Sequence, residues 1–108
     1  MADIVIVDDR VTNRNILVRL AGSLEDGIAV HAFGAPEEAL AWLVEHSPDL
    51  IITDYKMPRM DGDQFIRRVR EMPLLGDVPI IVVTVYEDRD FRYRALESGA
   101  TDFLLTAR

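Results

Sequence analysis

Residues 50–62, LIITDYKMPRMDG, constrain the fold more than any other stretch. Leu50, Ile51 and Ile52 form an apolar run without helical alternation, bounded by Pro48 and the Met57-Pro58 punctuation. This predicts a short buried strand of the parallel-sheet kind. Asp54 then stands just past the strand's C-terminal end. In open α/β sheets that rim is where ligands bind, because the loops there leave a crevice lined by polar side chains and free backbone groups. A carboxylate at such a place is held firmly and, on this reading, exposed enough to react.

The same pattern recurs along the chain. Asp3 to Val7, DIVIV, is a β-branched run opening onto Asp8-Asp9 and predicts a first strand with two carboxylates at its end. Thr12 or Asn13 is placed to cap a helix whose apolar face is Ile16, Leu17, Leu20, Ala21 and Leu24. Residues 28–33 read as a second strand, with His31 structural or facing solvent. Pro36 suits a first helical position ahead of Glu37 and Glu38, and a helix is expected to about His46 with Ala39, Leu40, Leu43 and Val44 inward. Phe65, Ile66, Val69 and Met72 mark a third helix whose far face carries Arg67, Arg68 and Arg70, read as solvated. Residues 80–83 form a fourth strand ending in Thr84, residues 87–98 a helix closed by Gly99, and residues 102–105 a fifth strand. Strands alternating with helices at short spacing predict one α/β domain, a parallel sheet wrapped on both faces through right-handed crossovers.

Composition narrows the chemistry. The formal charge of −7 and a single lysine, Lys56, argue against a nucleic-acid or anionic-membrane surface, which needs clustered basic residues. The absence of cysteine removes disulfides, thiolate metal sites and cysteine nucleophiles. No apolar stretch has the length of a membrane span and no secretory signal is present, so the expected location is the cytoplasm.

Three strands thus end in Asp8-Asp9, Asp54 and Thr84. Taken singly, each has an ordinary use as a helix cap or turn residue. Together at adjacent strand ends, the carboxylates repel one another unless a cation sits among them or one takes a proton. A hard divalent ion such as Mg2+ suits an oxygen-only rim better than zinc does. With the ion offsetting charge, Asp54 is placed to attack phosphorus and form an aspartyl phosphate, and Thr84 to donate its hydroxyl to that group.

The runs IVIVDD, TDYKMPRMDG, VPIIVVT and ESGATDFLL, in that order and covering essentially the whole chain, resemble the receiver domain of bacterial two-component response regulators. The resemblance implies a flavodoxin-like five-stranded sheet of order 2-1-3-4-5, phosphorylated on Asp54 by a partner sensor histidine kinase or phosphotransfer protein, with an output domain or effector downstream. It implies that Asp9 and Asp54 ligate magnesium, that Asp8 acts through a bound water and that Lys56 offers its backbone carbonyl. Thr84 becomes the switch hydroxyl and Phe103 the switch aromatic without a phenolic oxygen. The central loop and Tyr86-Glu87-Asp88 also resemble receivers joined to cyclic-di-GMP phosphodiesterase domains of the HD-GYP kind.

Three departures from the family pattern stand out. Thr106 and Ala107 occupy the places of the usual lysine and proline, leaving Arg10, Arg108 or Lys56 as substitutes for the lysine's charge. Val85 follows Thr84 where a small residue is usual, narrowing the approach to Asp54 and slowing phosphotransfer. The fifth helix that normally packs beside the first is missing, so the domain reads as a receiver truncated after its fifth strand, cut from a multidomain regulator. The bare face exposes roughly a few hundred Å² of apolar surface, which predicts a homodimer through it. The main expectation is a switch rather than a metabolic enzyme; the alternative is an atypical receiver that acts as a phosphorylation-independent interaction or dimerisation module. A phosphohydrolase using the same intermediate lacks a second acid/base aspartate two residues beyond Asp54 and a substrate-binding cap.

Overall fold

Apolar runs too short to bury a helical face pair instead into a sheet, and here five of them do so in parallel. The computed structural model describes residues 2–86 and 88–106. The expected helix start at Glu87 and the residues Ala107 and Arg108 lie outside the described residues. Strands β1 (Asp3–Val7), β2 (Ala29–Phe33), β3 (Leu50–Thr53), β4 (Ile80–Thr84) and β5 (Asp102–Leu105) alternate with helices α1 (Val11–Gly22), α2 (Pro36–Leu43), α3 (Gly62–Glu71) and α4 (Arg89–Ser98). The sheet order is β2-β1-β3-β4-β5, the flavodoxin-like topology expected from the sequence. Among the described residues there is no fifth helix.

The two faces of the sheet are unequally covered. Val5, Val7, Ile51, Ile80, Val82 and Phe103 meet Ala39 and Leu43 of α2, Phe65, Ile66 and Val69 of α3 and Ala95 of α4 in the larger core. On the other face Ile4 and Ile6 pack with Ala21, Leu17 and Val18 of α1 alone. The wrapping on both faces is therefore three helices against one. As a consequence most of the stripe expected to be the inner face of α1 stands in water: Ile16, Leu20 and Leu24 are 52%, 58% and 68% exposed. Leu104 on β5 is also exposed.

Local details correct the sequence reading in four more places. The residue before α1 is Arg10, not Thr12 or Asn13, and its side chain makes no capping bond; both expected caps lie inside the helix. Helix α2 ends at Leu43, where the Trp42 carbonyl lies 2.7 Å from His46 Nδ1, and Val44 is exposed rather than core. Arg70 leaves the solvated face of α3 and donates to the carbonyls of Gly99, Leu75 and Val78, at 2.7, 3.0 and 2.6 Å. It thereby ties α3 to the turn between α4 and β5, and burial lowers its pKa. Tyr55, Met57 and Leu75, expected in loops, are buried members of the larger core.

This asymmetry of burial sets the scale of mutational effects. Phe65→Ala is expected to lower stability by about 3–5 kcal/mol, as removal of a fully buried ring from a close-packed core does. Leu20→Ala is expected to change it by no more than about 0.5 kcal/mol. Urea unfolding of the two variants beside the parent chain checks both values.

Candidate functional site

Parallel pairing brings the chemistry-bearing residues together. Val7 lies opposite Thr53 across β1 and β3, and the ladder runs one residue further, with the Asp54 amide donating to the Val7 carbonyl at 2.9 Å. The Asp8 amide does the same toward Phe33 at 3.1 Å. Asp8 and Asp54 therefore follow the last paired residues of adjacent strands. A carboxylate oxygen from each of Asp8, Asp9 and Asp54 falls within 4.8 Å of the other two. Thr84 closes β4 on the other side of Asp54 and is buried.

Asp54 is more enclosed than its place on the rim suggested. It is fully buried, so the expectation of an exposed carboxylate is corrected: two strand ends, the Thr84 side and the start of α3 surround it. Its Oδ1 accepts the Tyr55 amide at 2.7 Å, while its Oδ2 is buried and has no hydrogen-bond partner among the described residues. Among the described residues the nearest cation to Oδ2 is the Arg10 guanidinium at 3.9 Å, beyond hydrogen-bond length. Burial raises the Asp54 pKa, against the lowering effects of the Thr84 hydroxyl, the Tyr55 amide and Arg10. Asp8 is pushed up to about 6, again chiefly by burial and further by Asp54, although its Oδ1 accepts the Arg10 amide at 2.9 Å.

Gly62 holds the far wall. Its amide donates to the Tyr55 carbonyl at 2.6 Å, and a Cβ there would stand 2.9 Å from both the Asp54 carbonyl and Tyr55 Cα. Only glycine lets α3 start this close to the Asp54–Tyr55 peptide. The Asp61 amide donates to Gln64 Oε1 at 3.2 Å and fixes that first turn.

The other expected site residues are less central. Lys56 is exposed and its Nζ lies 5.9 Å from the centre of the Phe91 ring. The Thr106 hydroxyl donates to the Thr84 carbonyl at 3.3 Å, beside the Thr106 amide, which donates to the same oxygen at 2.8 Å. Val85 lines, with Asp8, Asn13, Leu17, Val83 and Thr106, a cavity of about 170 Å³ between α1 and the β4–β5 edge. Phe103 is buried in the larger core. Tyr55 was not singled out in the sequence; it stacks on Phe91 of α4 with ring centres 4.4 Å apart, so the residue after Asp54 touches the helix expected to carry signals.

A five-stranded parallel sheet of this order with acidic groups clustered at its C-terminal rim defines a class of signalling domain. The chain belongs to the response regulator receiver domain family, which matches residues 4–106. It is 42% identical over 103 residues to the cyclic di-GMP phosphodiesterase response regulator RpfG of Xanthomonas campestris pv. campestris, covering 95% of this chain and 27% of that protein. It is 40% identical to a 14.6 kDa protein of Leptolyngbya boryana, covering 94% of this chain and 76% of that one. Among solved structures, the receiver domain of a histidine kinase from Syntrophus aciditrophicus superposes with a TM-score of 0.84 at 34% identity, covering 98% of this chain and 79% of that one. The receiver of a sensor histidine kinase from Pseudomonas aeruginosa PAO1, solved with magnesium in its active-site cleft, gives 0.86 at 26% identity, covering 97% and 84%.

The raised Asp8 pKa makes a prediction with a definite sign. Between 3.8 and about 6 the folded metal-free protein holds a proton that the unfolded chain has released. Stability from this group is therefore full below 3.8, falls as pH rises through that window and stays low above it. In a chelator, Asp8→Asn should melt above the parent chain at pH 7.5, with the difference closing toward pH 4. Thermal melts across that range check it.

Proposed function

We propose that this receiver is a phospho-acceptor switch that takes a phosphoryl group on Asp54 from a sensor histidine kinase or phosphotransfer protein. The observation that carries the reading is Asp54 itself: a buried carboxylate with one oxygen unpartnered, beside two further carboxylates at adjacent strand ends. An orphaned buried acceptor is costly and marks a place built to meet something else.

The residues present fit a divalent cation. Oxygen is the only donor type, the three carboxylates converge, and burial leaves two of them raised in pKa until positive charge arrives. Asp9 and Asp54 would hold the ion directly, Asp8 through a water and Lys56 through its backbone carbonyl. When bound, Mg2+ supplies the charge that lets the carboxylates stay ionised together and offsets the phosphoryl oxygens. The magnesium-bound Pseudomonas receiver supports this choice of ion.

Asp54 attacks through Oδ2, the oxygen no amide occupies; the new O–P bond forms as the donor's N–P bond breaks and the imidazole leaves. Its partner Oδ1 stays on the Tyr55 amide, which fixes the carboxylate plane. Thr84 donates its hydroxyl to a phosphoryl oxygen. Its backbone carbonyl is tied to Thr106, and its Oγ1 already accepts the Tyr86 amide at 3.2 Å, so a pull on Thr84 is felt at the start of the loop to α4.

The output is a change in affinity for an attached domain or effector. The chain spans about a quarter of the length of the Xanthomonas relative. We place residues 1–108 as one receiver within a larger cytoplasmic regulator, as in that phosphodiesterase and in the Myxococcus xanthus methylesterase relative. No described helix is long and apolar enough to cross a membrane. A second reading, an interaction or dimerisation module that works without phosphorylation, draws on the uncharged Thr106 and on the exposed apolar stripe of α1, which suits a homodimer.

Intact mass after incubation with magnesium and acetyl phosphate separates the two. A single phosphoryl adduct that requires magnesium and is lost in Asp54→Asn is the expected result. A folded chain that stays unmodified supports the second reading.

A further inference from the structure

A phosphoryl group on Asp54 brings more negative charge into a buried place than one divalent ion and one hydroxyl offset, so a further cation has work to do there. Three residues are candidates by sequence, and the structure separates two of them. Lys56 turns its ammonium toward the Phe91 ring on the α4 side. Thr106, at the place where a lysine is usual, is exposed, uncharged and committed through both its hydroxyl and its amide to the Thr84 carbonyl.

Arg10 has the geometry. Its Nη2 lies 3.9 Å from Asp54 Oδ2, the one oxygen of the carboxylate that is buried and unpartnered. No other ion pair to Asp54 occurs among the described residues. The gap is too long for a hydrogen bond to the carboxylate, and a phosphoryl group growing from Oδ2 fills it. The guanidinium is also held from two sides. Its Cζ sits 5.9 Å from the centre of the Tyr86 ring, within cation–π range. With its amide oxygen turned toward Arg10, Asn13 in the first turn of α1 accepts from the same Nη2. Tyr86 in turn rests edge-on against Phe91. A side chain 39% exposed is thus aimed inward rather than left to solvent.

We infer that Arg10 grips the phosphoryl group on Asp54 and replaces the charge that Thr106 lacks. A planar fork presents two parallel N–H donors to two phosphoryl oxygens, where an ammonium presents a point charge. The inference rests on the phospho-acceptor reading and deepens it.

The test compares the parent chain with Arg10→Ala, Arg10→Lys and Arg108→Ala. The readouts are the rate of adduct formation from acetyl phosphate with magnesium, the affinity for beryllofluoride with magnesium, and the affinity for magnesium alone. Arg10→Ala should slow the adduct and weaken beryllofluoride by about tenfold to a hundredfold, the loss expected for one hydrogen bond to a charged group. Arg10→Lys should recover most of the loss. Magnesium should bind Arg10→Ala as well as or better than the parent, since a positive neighbour has been removed, so a mere collapse of the site would show itself. Unchanged rate and beryllofluoride affinity in Arg10→Ala overturn the assignment, as does a parallel loss of magnesium affinity or a loss confined to Arg108→Ala. A parent chain that takes neither phosphoryl nor beryllofluoride overturns the phospho-acceptor reading and this assignment together.

Discussion

Crowding of like charge at the ends of adjacent parallel strands is the constraint on which the rest of this structure turns. The hydrogen bond from the Asp54 amide to the Val7 carbonyl continues the β1–β3 ladder past its last residue pair. It leaves no freedom for Asp8 and Asp54 to separate. Burial above all, with repulsion from neighbouring carboxylates, raises the pKa of both groups. A fold that sought only stability would not keep such a group of residues. On the proposed function, that unfavourable charge is what would make the site answer to a cation and a phosphoryl group.

Around this cluster several close contacts fix the Asp54 carboxylate and the helix beside it. Gly62 lets α3 press directly on the Asp54–Tyr55 peptide, and the Tyr55 amide holds one carboxylate oxygen. Arg70 binds three backbone carbonyls and locks α3 to the α4–β5 turn without an acidic partner in hydrogen-bond contact. Beyond that frame, Tyr55, Phe91 and Tyr86 form a run of aromatic contacts from the residue after Asp54 to α4. The opposite face of the sheet is different in kind. Among the described residues a single helix covers it, and several apolar residues of that helix remain at the surface. Apolar surface of this sort commonly serves association.

Much of the plan was legible in the amino-acid order. Five short apolar runs alternating with helical periodicity required a parallel sheet, because neither element alone buries its apolar side. The abrupt change from DIVIV to Asp8-Asp9, and from LIIT to Asp54, marked where those strands stop, and a parallel sheet puts such ends on one rim. Strand composition and strand ends are local properties, which is why Asp8, Asp9, Asp54 and Thr84 could be named before their distances were known. Helix caps were less legible: Thr12 and Asn13 have the right chemistry, but the backbone turns helical at Val11.

What only the tertiary structure decided was direction and company. Arg10 and Arg70 carry the same guanidinium as Arg67 and Arg68, yet one approaches the buried acceptor oxygen and the other disappears among carbonyls. The Thr106 hydroxyl could have faced the site and instead meets the Thr84 carbonyl. Tyr55 and Leu75 sit in stretches that read as loop and are among the most buried side chains. The amphipathic stripe of α1 was plain in the sequence, but its exposure was not, because burial depends on what lies across from a face and not on the face itself. By itself the sequence determined the sheet and the set of groups at its rim, since these follow from periodicity and chain connectivity, while the strand order came through the family resemblance. The fold decided which oxygen stays unpartnered and which cation stands before it, since those depend on residues brought together from separate strands and loops.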